Sequence, residues 1–294
     1  MSTTMSTQTA TPELRLWILE QAQAGHSPES VLSAMKQSGW DEDVALAALE
    51  DTLQGFLSDH ARRQQAQAQS QRPPAVPVPE PDLSNSPSEL HLPDGRVVRV
   101  VLSMREPRVV VMADFLSDEE CDALRELAAP RLARSETVDN TTGGSEVNEA
   151  RTSAGMFFGR GESALIARIE QRIAALLHWP VENGEGLQVL HYRPGAEYKP
   201  HYDYFDPAQP GSATILKRGG QRVGTVVMYL NTVEAGGGTT FPDVHLEVAP
   251  IKGHAVFFSY DRADPGSRSL HGGAPVRAGE KWVATKWLRE RRFD

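Results

Sequence analysis

The sequence is nearly free of cysteine, with Cys121 alone among 294 residues. A single thiol excludes an internal disulfide framework and suits a reducing compartment, so we interpret Cys121 as a small buried hydrophobic residue. Long apolar runs are also missing. No stretch reaches about eighteen consecutive apolar residues, and the first residues, MSTTMSTQTATPEL, lack the basic and apolar regions of a signal peptide. We therefore expect a soluble, cytoplasmic protein that does not bind a membrane.

Basic charge is scarce too. Lys and Arg together number 30 against 39 Asp and Glu, which gives a net charge of −9. Binding to nucleic-acid phosphates needs clustered Lys and Arg, and the C-terminal Arg289, Arg291 and Arg292 form too short a cluster. This balance excludes a nucleic-acid surface as the main function. The chain does have length and 39% hydrophobic residues, which suffice for one large core and a small accessory module.

The N-terminal region begins with two parts of different composition. Residues 1–11 are rich in Ser and Thr and are predicted to be disordered. Residues 12–58 follow a helical period of apolar residues, and caps and prolines at first-turn positions divide them into three short helices. The loop at Gly39 and Trp40 resembles that of ubiquitin-associated three-helix modules, which implies a possible protein partner. A helical appendage without a partner is the alternative.

A third part, residues 59–90, changes composition abruptly. Gln, Ala, Pro and Ser dominate this segment. It has too few large apolar residues to offset the entropy of ordering, which is typical of a partly extended linker. We expect this linker to separate the helical module from a second domain over residues 91–294.

The second domain begins with a mixture of strands and helices. Val-rich runs predict strands over Val97–Leu102 and Arg108–Met112, and a capping box at Ser117 and the apolar spacing over Ser163–Leu177 predict two helices. The polar segment between these helices, Arg134–Ala150, contains two consecutive glycines. It is a candidate lid over a site, with surface padding as the alternative.

After Glu185 the helical pattern disappears, and short runs recur between Gly, Pro and Asp residues. Many short strands at such spacing are typical of a jelly roll. The fold we expect is mainly β, with flanking helices that support one sheet from outside. The predicted strands are Leu187–Tyr192, Tyr198–Phe205, Arg222–Asn231, Thr239–Phe241, His245–Val248, His254–Tyr260, Arg268–His271 and Lys281–Arg289.

His201 and Asp203 are the first candidates for metal ligands. In a strand, side chains at i and i+2 point to the same face, so one rigid element aims an imidazole and a carboxylate together. Taken alone, a surface His beside a solvated Asp is the commoner explanation. His271 ends a later predicted strand and can complete a site of two His and one carboxylate, which in non-haem Fe(II) oxygenases leaves coordination positions open. Three other histidines match no ligand spacing and are interpreted as structural: His191, His245 and His254.

Lys281 opens the last predicted strand. By parity, Lys281, Val283, Thr285 and Trp287 share one face of that strand, so a cation and a large aromatic ring point together. A buried Lys some way behind a metal is what a dicarboxylate co-substrate requires.

These residues and their flanking runs resemble a known family. The motifs around His201, Asp203, His271 and Lys281, namely EGLQVLHYRPG, PHYDYF, GGQRVGTVVMYLNTVEAGGGTTFP and KWVATKW, are similar to the catalytic domain of prolyl 4-hydroxylases. That family lies in the 2-oxoglutarate/Fe(II)-dependent dioxygenase superfamily, and the similarity extends over Arg108–Arg289. It implies a double-stranded β-helix and an oxidoreductase that hydroxylates a peptidyl proline with O2 and 2-oxoglutarate, releasing succinate and CO2. L-ascorbate (vitamin C) is implied as the reductant that restores oxidised iron.

The resemblance also implies roles for individual residues. It implies Fe(II) on His201, Asp203 and His271, with Lys281 as the fourth catalytic residue. The 2-oxoglutarate carboxylate is implied on Lys281, Thr239 and Tyr192, and the substrate peptide on Glu185, Tyr198, Arg222 and Trp287. Several of these have structural alternatives: sheet aromatics for Tyr192 and Tyr198, a hairpin end for Thr239, a solvated turn for Glu185 and a sheet-edge cap for Arg222.

One departure and three alternatives accompany this hypothesis. Arg289 stands two residues beyond the final Trp, where animal collagen-modifying relatives usually have His, so a collagen-like substrate does not follow. Asp203 is intact, which disfavours the halogenase variant of the superfamily. The alternatives are a hydroxylase of a free amino acid or small metabolite, a non-catalytic protein-binding barrel, and a cupin-like metal isomerase or hydrolase. Lys281 and Thr239 disfavour the last, because only a dicarboxylate co-substrate needs them.

Overall fold

The structure, a computed structural model, describes residues 8–70, 72–134, 137–138, 145–146 and 152–294. The chain divides into two compact units, residues 1–72 and residues 73–294. The predicted lid over 134–150 falls largely outside the described residues, which within it are 134, 137–138 and 145–146.

The first unit consists of three helices: α1 (Pro12–Gln23), α2 (Pro28–Gln37) and α3 (Glu42–Ser70). Thr11 and Ser27 cap the first two by accepting hydrogen bonds from backbone N–H groups three residues on, and a proline follows each cap. The three helices share a small apolar core of Leu14, Ile18, Val31, Met35, Ala45, Ala48 and Leu49. The resemblance to ubiquitin-associated modules stays a prediction.

The segment predicted as a linker, 59–90, does not form an extended linker in the structure. Its first part continues α3 to Ser70, because Ala, Gln and Arg are strong helix formers and the first proline of this segment is Pro73. Its second part lies against the second unit, where the Val76 N–H donates to the Asp261 carbonyl at 2.9 Å and the Glu80 N–H donates to the Leu177 carbonyl at 3.0 Å. Composition signalled few large apolar residues but did not reveal that proline rings and backbone groups would provide the contacts.

The second unit alternates short strands with a few helices. Its helices are α4 (Asp118–Ala128), α5 (Ala164–Leu177) and α6 (Ser212–Ile215). Its strands are β1 (Glu89–His91), β2 (Val97–Met104), β3 (Arg108–Ala113), β4 (Ala133–Arg134), β5 (Thr137–Val138), β6 (Ser145–Glu146), β7 (Ala154–Phe158), β8 (Leu187–Tyr192), β9 (Tyr198–His201), β10 (Arg222–Tyr229), β11 (Ala235–Gly236), β12 (Thr239–Phe241), β13 (Leu246–Val248), β14 (Ala255–Ser259), β15 (His271–Gly273), β16 (Val276–Ala278) and β17 (Lys281–Arg289).

Two sheets face each other in the second unit. The larger sheet has the order β1-β2-β3-β14-β10-β17-β8-β7-β4, and the smaller has the order β13-β12-β15-β9. All pairings within them are antiparallel. The fold is a jelly-roll core, mainly β with flanking helices, as the sequence predicted.

The larger sheet is buried on both faces, and the alternation of its strands shows how. In β14, Ala255 and Phe257 belong to one apolar cluster, shared with residues of α4 and α5. Val256 and Phe258, of opposite parity, belong to a second cluster that includes residues of the smaller sheet. The helices therefore support the outer face, as expected, and the inner face lines the space between the sheets.

The predicted bounds of β8, β12 and β17 are confirmed, and those of β2, β3, α5, β10, β13 and β14 differ by one or two residues at an end. The strand predicted over Tyr198–Phe205 is shorter and ends at His201. The run predicted over Arg268–His271 instead begins a strand at His271. None of the described helices combines the length and the apolar character that crossing a bilayer requires.

Two truncations distinguish the predicted boundary from the observed one. Removing residues 1–72 leaves every element of the second unit in place, so we expect its thermal midpoint to match that of the barrel transition in the full chain. Removing residues 1–90 also deletes the hydrogen bonds of Val76 and Glu80, at about 1 kcal/mol each, and the buried Pro79 and Pro81. We expect the shorter chain to lose at least about 2 kcal/mol of unfolding free energy in urea titrations. Equal stability of the two chains would contradict this.

Candidate metal centre and pocket

Two histidines and one carboxylate meet between the sheets. Strands β9 and β15 pair so that His201 lies directly opposite His271, and the two imidazole centroids are 4.4 Å apart. Asp203 follows two residues after His201, beyond the end of β9. Its Oδ1 is 3.5 Å from Nε2 of His201 and its Oδ2 is 3.4 Å from Nε2 of His271. One ligand atom from each residue lies within 4.8 Å of the others.

Backbone carbonyls orient both rings. Nδ1 of His201 lies 2.9 Å from the Lys199 carbonyl, and Nδ1 of His271 lies 2.9 Å from the Ser269 carbonyl. A carbonyl only accepts, so each Nδ1 carries the proton and each Nε2 is left with a lone pair toward Asp203.

The protonation states of the cluster suit metal ligation. Burial lowers the pKa of His201, and the neighbouring His271 lowers it further. Burial acts to raise the pKa of Asp203, but the two histidines together hold it well below its ordinary value. A neutral imidazole and an ionised carboxylate are the forms that bind a cation.

A pocket opens beside this cluster, with about 440 Å³ of space including its mouth. Eight of the ten site residues predicted from the sequence line it: Tyr192, Tyr198, His201, Asp203, Thr239, His271, Lys281 and Trp287. All four residues of the predicted face of β17, from Lys281 to Trp287, are among the lining residues.

Lys281 lies in this pocket and is 4% exposed. Its Nζ is 5.4 Å from the ring centre of Tyr192 and 6.0 Å from that of Tyr229. Burial lowers its pKa to about 8, against a smaller opposing influence from Glu247. Within the part of the chain that the structure describes, no carboxylate lies within 4.0 Å of this ammonium group. The pocket therefore holds a desolvated cation that an anionic ligand can pair with.

Thr239 presents its hydroxyl to the same pocket. It is 4% exposed, and its Oγ1 accepts a hydrogen bond from the Tyr229 hydroxyl at 2.7 Å. Since the Tyr229 proton occupies one lone pair, the Thr239 proton is available to an acceptor in the pocket. Tyr229 was not predicted as a site residue.

Glu185 and Arg222 are the two predicted residues that do not line the pocket. Their side chains pair with each other through two hydrogen bonds, Nε to Oε1 at 2.7 Å and Nη2 to Oε2 at 2.8 Å. The Arg222 guanidinium also lies 4.1 Å from the ring centre of Trp287. The pair thus backs one wall of the pocket. Arg222 is therefore more than a cap on the sheet edge, and Glu185 is not a solvated turn residue.

Thr225 and Tyr260 are further site residues that sequence reasoning missed. Thr225 donates a hydrogen bond to Oδ2 of Asp203 at 2.7 Å, and Tyr260 lies within hydrogen-bond distance of Thr225. The signal was the alternation of Thr225, Val227 and Tyr229, which face Trp287, Thr285 and Val283 across the β10–β17 pairing. Both faces of β10 are apolar in sequence, so parity alone did not identify the pocket face.

Known proteins are similar in sequence to this chain. A family profile described as the 2OG-Fe(II) oxygenase superfamily matches residues 187–289, a span that includes all the predicted site residues except Glu185. Prolyl 4-hydroxylase 5 of Arabidopsis thaliana is 44% identical over 209 residues, covering 64% of this chain and 70% of that protein. Prolyl 4-hydroxylase 1 of the same plant is 45% identical over 216 residues, covering 67% of this chain and 74% of that protein.

A solved structure also matches. The viral collagen prolyl hydroxylase from Paramecium Bursaria Chlorella virus-1, in its 2OG complex, is 32% identical with a TM-score of 0.47. The match covers 62% of this chain and 95% of the viral one.

The buried ammonium of Lys281 is expected to lower the free energy of unfolding of the unliganded protein while it favours the binding of an anion. Its pKa of about 8 lies below the ordinary 10.5, which corresponds to about 3 kcal/mol at about 1.4 kcal/mol per unit. Below pH 8 the folded protein carries a desolvated charge that the unfolded chain hydrates. As the pH rises above 8, the folded Lys281 becomes neutral and the cost shrinks. We expect Lys281→Met to raise the unfolding free energy by up to about 3 kcal/mol at pH 7, with a smaller gain at higher pH.

Urea unfolding at pH 7 and at higher pH measures this difference. The exposed Lys217, replaced by Met, is the matched control and should change stability little at either pH. A Lys281→Met chain less stable than the original at pH 7, or a gain that does not fall with pH, would contradict the assignment.

Proposed function

This chain belongs to the prolyl 4-hydroxylase family of the 2OG-Fe(II) oxygenases, and from that premise we propose that it hydroxylates a proline within a peptide or protein. The enzyme class is an Fe(II)/2-oxoglutarate-dependent dioxygenase. The observation that carries the proposal is the meeting, in one pocket, of the His201, Asp203 and His271 cluster with the buried cation of Lys281.

The donor set fits Fe(II). Two imidazole Nε2 atoms and one carboxylate, all on one side of a pocket, are the ligands of the facial triad that binds non-haem iron. His201, Asp203 and His271 would hold the metal, and the two Nδ1 hydrogen bonds to backbone carbonyls keep both rings in the ligating orientation. When bound, Fe(II) and 2-oxoglutarate together supply the oxidising chemistry that inserts one oxygen atom of O2 into a C–H bond as 2-oxoglutarate becomes succinate and CO2.

The far end of the pocket fits the second carboxylate of 2-oxoglutarate. Lys281 would pair with it, Thr239 would donate its hydroxyl proton, and Tyr192 lines the same region. Apolar walls at Leu190 and Val283, both buried, exclude water and so strengthen the ion pair. L-ascorbate is proposed as the reductant that restores oxidised iron.

The pocket also fits a proline side chain of a peptide. Trp287 and Tyr198 line it, and the Glu185–Arg222 pair backs the Trp287 ring. We assign these four residues to the substrate and to its positioning, so that the target proline C4 is held near the metal. A hydroxylase of a free amino acid or small metabolite is the second candidate, because the same pocket also suits a small molecule.

Two wider assignments belong to the same proposal. The N-terminal helical unit would bind a protein partner, which the loop at Gly39 and Trp40 suggests. The compartment would be the cytoplasm, because a single cysteine suits a reducing environment.

Mass spectrometry of proline-rich peptides and candidate proteins, incubated with the enzyme, Fe(II), 2-oxoglutarate and ascorbate, tests the reaction. We expect a gain of one oxygen atom on proline, located at C4 by comparison with authentic 4-hydroxyproline. His201→Ala should abolish Fe(II) binding and hydroxylation together, since a three-residue site has no spare ligand. Oxygen added to free amino acids and never to peptides would favour the second candidate, and undiminished turnover by His201→Ala would place the site elsewhere.

The affinity for 2-oxoglutarate gives an independent test of Lys281. Its replacement by Ala leaves a carboxylate unpaired in a desolvated pocket, a loss of about 3–5 kcal/mol that weakens binding by a factor on the order of a hundred to several thousand. Fe(II) binding should survive, because Lys281 is not a ligand. Arg at this position should restore only part of the affinity, since its planar fork fills different space. Equal losses of Fe(II) and 2-oxoglutarate binding would indicate collapse of the barrel.

A further inference from the structure

Thr225 and Tyr260 connect the carboxylate of Asp203 to the larger sheet. Oγ1 of Thr225 is 2.7 Å from Oδ2 of Asp203, and the Tyr260 hydroxyl is 3.0 Å from the same Oγ1. Thr225 is fully buried, Tyr260 is 3% exposed and Asp203 is 5% exposed. Because solvent is excluded, the hydroxyl groups of Thr225 and Tyr260 must donate their hydrogen bonds to acceptors within the protein.

The donor and acceptor in each of these hydrogen bonds follow from the charge of Asp203. An ionised carboxylate only accepts hydrogen bonds, so the Thr225 proton goes to Asp203. The lone pairs of Oγ1 then accept, which requires Tyr260 to donate its phenol proton to Thr225. The hydrogen bonds therefore run in one sense, from Tyr260 through Thr225 to Asp203.

The backbone fixes both hydroxyl groups in place. Strands β10 and β14 pair so that Thr225 lies opposite Phe258, and the Tyr260 N–H donates to the Val223 carbonyl at 3.1 Å. The Tyr260 ring packs against Tyr204 and Phe258, with centroids 6.2 and 6.3 Å away. The sheet pairing and the aromatic cluster therefore hold both hydroxyl groups within hydrogen-bond distance of each other.

We propose that Thr225 and Tyr260 form a hydrogen-bond relay that orients Asp203 as a metal ligand. The relay binds one carboxylate oxygen, Oδ2, and so restrains the rotation that would turn the carboxylate away from the two histidines. Both residues are positioning residues, because they act through Asp203. The inference rests on the proposed function, in which Asp203 binds a divalent cation, and goes beyond it by assigning residues that hold no ligand themselves.

Metal affinity measured without turnover tests the relay. The probe is Mn(II), which suits carboxylate and imidazole ligands, titrated anaerobically into the full-length chain and followed by the electron paramagnetic resonance signal of the free ion. Thr225→Val keeps the shape of the side chain and removes the hydroxyl, and Thr225→Ser keeps the hydroxyl. Loss of an outer hydrogen bond to a metal ligand weakens binding by about 10–100-fold. We expect a loss of that size for Thr225→Val, a smaller loss for Tyr260→Phe, and affinity close to the original for Thr225→Ser.

A spectroscopic readout separates orientation from general instability. In the Co(II)-loaded chain, the visible absorption of the metal reports the arrangement of its ligands, so Thr225→Val should shift this spectrum and Thr225→Ser should restore it. Unchanged Mn(II) affinity and spectrum in Thr225→Val would overturn the relay, as would a Ser variant as weak as the Val variant.

Two further results need an interpretation: a Thr225→Val variant that does not fold, and an original protein that binds no Mn(II). Should Thr225→Val fail to fold, Thr225→Ser and Tyr260→Phe decide: a Ser variant like the original with a weaker Phe variant supports the relay, and any other combination overturns it. If the original chain itself bound no Mn(II), the proposed function would fail with it, a result that differs from failure of the relay alone.

Discussion

The buried negative charge of Asp203 is the constraint on which the site depends. An unpaired carboxylate away from water is strongly unfavourable. Here Asp203 accepts a hydrogen bond from the Thr225 hydroxyl and lies 3.4 and 3.5 Å from two imidazole Nε2 atoms, so that a cation bound by all three side chains would balance its charge. The histidines come from β9 and β15 of the smaller sheet, and Thr225 comes from β10 of the larger one. The three side chains and the Thr225 hydroxyl therefore meet only when the two sheets face each other in the correct register.

A second buried charge, of opposite sign, lies on the same inner face. Lys281 carries no ion-pair partner among the described residues, and burial makes its charged form unfavourable. A carboxylate that enters the pocket removes this penalty, so part of the binding energy is stored in the folded protein before the ligand arrives. Thr239 shares this logic on a smaller scale, because the Tyr229 hydroxyl already occupies one of its lone pairs and leaves its proton to be donated. The pocket is thus organised for a dianionic co-substrate by what it leaves unpaired.

The sequence predicted those features that depend on short-range order. The parity of β17 placed Lys281 and Trp287 on one face, and the spacing of His201 and Asp203 brought them together even though β9 ends at His201. Features that depend on tertiary pairing were not accessible. Thr225 and Tyr260 lie 35 positions apart in sequence and meet only because β10 pairs with β14, and both faces of β10 are apolar. The contacts of residues 73–90 were missed for a related reason, since composition measures side-chain hydrophobicity and does not reveal the backbone hydrogen bonds of Val76 and Glu80.

Arg289 shows how a departure from a family pattern acts through packing. Its side chain is 1% exposed, so it does not present a surface to a peptide. Its guanidinium donates to the carbonyls of Ile215 and Arg218 and lies 3.5 Å from Oε1 of Glu185. Both of these hydrogen bonds come from Nη2, whereas Nε and Nη1 of Arg289 have no hydrogen-bond partner among the described residues. Arg289 therefore ties α6 and the turn after it to the Glu185–Arg222 pair behind Trp287. Any effect of Arg289 on substrate choice would therefore act through this wall of the pocket.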